Sequence, residues 1–160
     1  MENTRAILFL FSGIISISTG ALAQCITETE MKADQKRFIQ TQMMVAALQC
    51  RRGYGGVLPQ IYNDFVKNNR LELQESERIL STYLQRDEKL SVTAYLTSIA
   101  NKVSLESVRQ SDFCGKMKVA GEMALSMKDP LPVITVLPVH YKIPKQLCEQ
   151  PAHAMLFGQK

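Results

Sequence analysis

The sequence predicts an all-α protein: a compact bundle of four or five disulfide-linked helices followed by an extended Pro-rich C-terminal arm. Three observations lead there. Apolar residues recur at helical spacing in one segment after another from Thr27 to Met127. All but one of the six prolines fall at or beyond Pro130, which closes the helical region. Four cysteines follow an export-type leader, and exported chains oxidise their thiols. A length of 160 residues fits one domain with flanking segments. With 46% hydrophobic and 21% charged residues, the composition excludes a collagen, a disordered chain and a polytopic membrane protein.

Residues 1–23 read as a signal peptide. Arg5 and the N-terminal amine give a weakly positive start. Ala6 to Ile17 is apolar except for Ser12 and Gly13, and is too short for a transmembrane helix, which needs about 20 residues. Ser18 to Ala23 is a small-residue exit, with Ala21 and Ala23 placed for cleavage after Ala23. Gln24 stands where a lipoprotein would carry a small residue before its modified cysteine, so Cys25 is not expected to be lipidated. No later stretch could span a bilayer, so the processed chain is expected in the periplasm or outside the cell.

The helical domain is expected over residues 24–129. Thr27-Glu28-Thr29-Glu30 forms a capping box for a helix running to Gln49, with Met31, Phe38, Ile39, Val45 and Leu48 directed to the core. Arg51 and Arg52 suit its negative end, and Gly53 can stop it. Pro59 opens the next helix, whose Leu58, Ile61, Tyr62, Phe65 and Val66 give the clearest amphipathic stripe. The polar run Lys67 to Arg70 breaks or bends it before the stripe Ile79, Leu80, Tyr83, Leu84. A fourth segment carries Val92, Tyr95, Leu96, Ile99 and Val103. Asp112 can cap a last helix with Phe113, Met117, Ala120, Ala124 and Met127 on one face.

The arm, residues 130–160, excludes regular α-helix through its prolines. Val133 to Leu137 is β-prone and expected to be extended, yet no second strand exists to pair with it. The arm is therefore read as a strap over the helices, tethered by Cys148.

Cys25, Cys50, Cys114 and Cys148 allow three pairings. A continuous helix of that length would hold Cys25 and Cys50 about 35 Å apart, whereas a disulfide needs Cα atoms within roughly 7 Å. That pairing fails. Of the two patterns left, position favours Cys50–Cys114 within the helical body and Cys25–Cys148 between the flanks.

Catalytic signals are sparse. The motifs G-x-S-x-G, S-x-x-K and K-T-G are absent. Both histidines, His140 and His153, lie in the arm, where they are expected on the surface. H-E-x-x-H is absent, Cys148 with His153 is a weak pair whose sulfur is expected in a disulfide, and Met31, Met117 and Met127 lie on core stripes rather than in a copper site. Glu72, Glu75, Glu77, Asp87 and Glu88 read as solvated faces. No catalytic residue, metal or cofactor is assigned. The most suggestive segment is Arg51-Arg52-Gly53-Tyr54-Gly55-Gly56, where two guanidiniums and Tyr54 could hold an anion or stack on a ring. The net charge of +4 is spread along the chain, which argues against nucleic acid and for a weak attraction to acidic surfaces.

The strings Ala47-Leu48-Gln49-Cys50-Arg51, Tyr62-Asn63-Asp64-Phe65 and Phe113-Cys114 resemble a group of small exported bacterial helical proteins of unassigned function, over roughly residues 38–125. The resemblance implies a helical body and a Cys50–Cys114 bridge. It carries no catalytic or ligand residue, and Cys25 and Cys148 fall outside it. The expectation is a non-enzymatic exported binding or interaction protein, its partner an envelope protein or an acidic ligand. A chaperone-like stress protein and an enzyme with a noncanonical carboxylate site are the alternatives.

Overall fold

The computed structural model describes residues 25–50 and 56–148. Among these residues lie five α-helices: α1 (Glu28–Gln49), α2 (Val57–Asn68), α3 (Arg70–Asp87), α4 (Val92–Ser107) and α5 (Phe113–Ser126). Residues 1–24, with the expected leader and cleavage point, lie outside the described residues.

The helix boundaries follow from local chemistry. Thr27 and Glu30 close the expected capping box: the Thr27 hydroxyl accepts from the Glu30 amide at 3.2 Å, and the Thr27 amide donates to Glu30 Oε2 at 2.9 Å. Gly56, at φ 81°, supplies the left-handed turn that enters α2. One residue, Asn69, separates α2 from α3, so the polar run bends the chain there. Ser91 caps α4 by accepting from the Ala94 amide, and Asp112 caps α5 by accepting from the Gly115 amide, each at 3.2 Å.

α1 is the central element. It packs against α2, α3, α4, α5 and the start of the arm, while α2 also packs on α5. The main core joins Phe38, Ile39 and Met43 of α1 to Leu58 and Phe65 of α2, Val103 of α4 and Met117 of α5. Each large apolar side chain buried there contributes about 1.5–3 kcal/mol. A second cluster, Ile26 with Leu80, Tyr83 and Leu84, closes the end near the α1 N-terminus. Two expected core residues face water instead: Leu48 is 60% exposed and Met127 is 38% exposed. Leu48 lies in the last turn of α1, and Met127 follows the final turn of α5.

The arm departs from expectation at its start. Leu131–Thr135 is a 3-10 helix, not an extended segment. With no strand to pair its polar backbone, the segment bonds to itself: Val133 N–H donates to Pro130 O at 3.1 Å, and Val136 N–H to Val133 O at 3.0 Å. Val133 and Leu137 still bury in the main core, while Thr135 and Val136 are exposed. From there residues 136–148 run back along α1 as a strap. Val139 meets Gln42, Tyr141 meets Asp34, and Leu147 forms an isolated parallel bridge with Ile26.

Two disulfides, Cys50–Cys114 and Cys25–Cys148, join Cα atoms 5.7 and 4.9 Å apart. The first ties the end of α1 to the start of α5. The second ties the entry of α1 to the end of the strap. No described helix is long and apolar enough to cross a membrane.

Candidate functional site

α1, α3 and α4 leave a groove of about 310 Å³ between them, at the lower end of small-molecule site volumes. Met44, Leu96 and Ala100 supply apolar wall, and Thr41, Thr93 and Thr97 border it. The side chains come from two parallel helices. The Tyr95–Asp34 hydrogen bond near one end and the Ser107–Gln49 hydrogen bond near the other hold α1 and α4 in register.

Arg37 is the charged residue set deepest in this groove. Its side chain is only 14% exposed, and its Nη2 stands 3.3 Å from Glu77 Oε2 at the rim, where Glu77 is 49% exposed. The Nε–H is buried and has no hydrogen-bond partner. Burial depresses the guanidinium pKa, and the Glu77 carboxylate offsets that only in part. A guanidinium keeps its charge at any physiological pH, so this position holds a fixed cation with unused donor capacity beside apolar wall.

A second polar centre lies under the strap. Asp34 is 1% exposed. Its Oδ1 accepts from the Tyr95 hydroxyl at 3.0 Å and its Oδ2 from the Tyr141 hydroxyl at 2.7 Å. Burial raises the Asp34 pKa against the pull of the two tyrosines. Burial and the Asp34 charge raise both phenols well above their ordinary value. Nearby, Tyr83 carries a buried hydroxyl without a partner, its pKa pushed up to about 12 chiefly by burial. Gln42 is fully buried, donating to Val139 O at 2.6 Å and accepting from Val139 N–H at 3.3 Å. These residues fasten the strap. Asp34, Tyr95, Tyr141 and Gln42 each meet a structural partner, and the adjacent cavity is only about 200 Å³.

The sequence-assigned positions are distributed as follows. Cys50 with Cys114 and Cys25 with Cys148 form the two bridges, so no described thiol is free. Arg51, Arg52 and Tyr54 lie outside the described residues, as does His153. His140 is exposed. Glu72, Glu75 and Asp87 are each paired with a cation, Lys36, Arg78 and Arg86 respectively, at 2.6 Å. Among the described residues no group of three or more His, Cys, Asp and Glu side chains could hold a metal ion.

Arg37, Asp34 and Gln42 carry no motif in the sequence. The one signal that could have drawn attention to them is that α1 mixes charged and amide residues with its apolar ones and lacks a clean polar face, as a helix covered on several sides does. Compared with known proteins, the chain matches no family model, no curated protein and no solved structure.

Proposed function

We propose that the chain is an exported binding protein, processed after Ala23 and acting in the periplasm or outside the cell, which seats a small ligand in the groove between α1, α3 and α4. The observation that carries this reading is the pairing of apolar wall with the buried, incompletely partnered Arg37 guanidinium. Binding sites commonly combine apolar lining with a few placed polar groups that fix orientation. The two disulfides suit an oxidising compartment, and all four cysteines lie beyond the leader. An acidic ligand matches the positive balance of the chain.

Amide-resolved NMR of the oxidised protein against fractions of a bacterial envelope extract tests this. The expected result is a fraction that shifts the Thr41, Met44, Thr97 and Ala100 amides and leaves a Thr97→Trp variant unshifted. Shifts confined to other surfaces, or no shifts with any fraction, refute the groove as the binding site.

A further inference from the structure

We propose that the groove selects a monocarboxylate with a short aliphatic body, its carboxylate taking the place of Glu77 on Arg37 and its chain lying along Met44, Leu96 and Ala100. This rests on the groove being the binding site and adds the class of ligand. Size, charge and the state of Glu77 support it.

The groove of about 310 Å³ lies at the small end of ligand-site volumes, a size suited to a carboxylate on an unbranched chain of middle length. The wall is suited to methylene groups: Leu96 and Ala100 of α4 face Met44 of α1, and Met adapts readily to a flexible chain.

The charge pattern selects a single anion. Arg37 offers planar donors, the geometry that a carboxylate satisfies in bidentate fashion. Glu77 uses that capacity poorly. It stands 3.3 Å from Nη2, at a half-exposed position, so an incoming carboxylate would meet the guanidinium at its Nη end, the Nε–H being enclosed by protein. The same carboxylate at the rim repels a dianion and disfavours a phosphate, while one incoming carboxylate can exchange with it. The neighbouring α1–α3 cleft lacks such an opening, because Lys36 is held by Glu72 at 2.6 Å and Lys32 by Glu28 at 2.6 Å.

Titration calorimetry with sodium octanoate, 1-octanol and sodium acetate on the oxidised protein tests the proposal. Octanoate is expected to bind saturably at one site. Octanol lacks the anion and is expected to bind at least about tenfold more weakly, the loss of a hydrogen bond to a charged group being of that size; acetate lacks the body and is expected to lose at least as much through the methylenes it cannot bury. Arg37→Gln should weaken octanoate by a similar factor. Glu77→Gln, at an exposed position, should tighten it by removing the competing carboxylate, which a purely structural Arg37–Glu77 pair would not do. Thr97→Trp should abolish binding by filling the groove from its exposed edge. If octanol and octanoate bind equally and Thr97→Trp blocks both, the groove binds ligands but not as a carboxylate site, and this inference fails alone. If no probe binds and Glu77→Gln changes nothing, the inference fails together with the binding role of the groove.

Discussion

Replacing Gln42 with methionine should destabilise the protein although the volume of the side chain is nearly kept. Gln42 is fully buried and serves the strap as a strand neighbour would, pairing with both the N–H and the C=O of Val139. Methionine leaves those two backbone groups inside the protein without partners. Each orphaned group costs about 1–3 kcal/mol, so the pair costs about 2–6 kcal/mol, a large share of a typical domain stability of about 5–15 kcal/mol. Gln42→Ala should cost more, since a cavity adds to the lost hydrogen bonds. Urea unfolding of the oxidised protein measures the loss, and amide hydrogen exchange locates it: the Val139 amide should lose most of its protection while amides in α2 and α5 keep theirs. If Gln42→Met lies within about 1 kcal/mol of the parent, on the scale of an ordinary volume-conserving core swap, or if Val139 stays protected, the strap is held by packing and the hydrogen-bond argument is wrong.

The remaining predictions concern pH, the second bridge and one close packing contact. Burial raises the Asp34 pKa in the folded state above its ordinary 3.8. Asp34 therefore removes stability as pH rises from the unfolded value through the folded one, and its full cost is present above both. Asp34→Asn should flatten that part of the stability–pH curve, gaining relative to the parent toward neutral pH and not at acid pH; parallel curves for the two proteins in urea titrations from acid to neutral pH would refute the assignment. Opening Cys25–Cys148 by a double Cys→Ser substitution removes a link spanning 123 residues, worth about 5 kcal/mol in the chain-entropy model; thermal unfolding should fall accordingly, with proteolysis appearing first in the strap, and an unchanged melting temperature would contradict it. Gly121→Ala places a methyl against Ile61 Cγ2 at the α2–α5 contact. It should destabilise by about 1–3 kcal/mol through overpacking, despite the roughly 1 kcal/mol gain in helix propensity, and a stabilised variant in denaturant melts would show that the two helices separate freely.

What the sequence disclosed was local. The Thr27–Glu30 box, the Asp112 cap and the Phe65 stripe each depend on residues within a few positions, and the structure places all of them. For α5 the apolar stripe and the buried face agree from Phe113 to Ala124 and part company only at Met127, past the last turn. One long helix keeps its two ends apart, which excluded Cys25–Cys50 and left two pairings, of which position favoured the one the structure shows. The strap and the groove were not accessible. Gln42 meets its partner across 97 residues and Asp34 meets Tyr141 across 107, separations over which no spacing rule operates. Local preference also misled at Val133–Thr135, where β-branched residues suggest extension. β-propensity expresses packing in a sheet, and without a partner strand the segment coiled into a 3-10 turn that buries Val133.

The groove and the strap share one support, and that bears on how the groove would bind. Cys25 and Cys50 lie at the two ends of α1, and each is bonded to a different part of the chain. Between them the strap fixes Asp34 and Gln42, and α4 is tied to α1 through Tyr95 and Ser107. Arg37 therefore projects from a helix held at both ends and along its length, next to a second helix held in register with it. The walls of the groove are thus fastened by contacts outside it. Little backbone ordering is left for a ligand to impose, which favours even a small molecule with few contacts. Loosening the strap, as Gln42→Met would, should then weaken octanoate binding without touching a groove residue, since the cost of ordering α1 would return to the binding step.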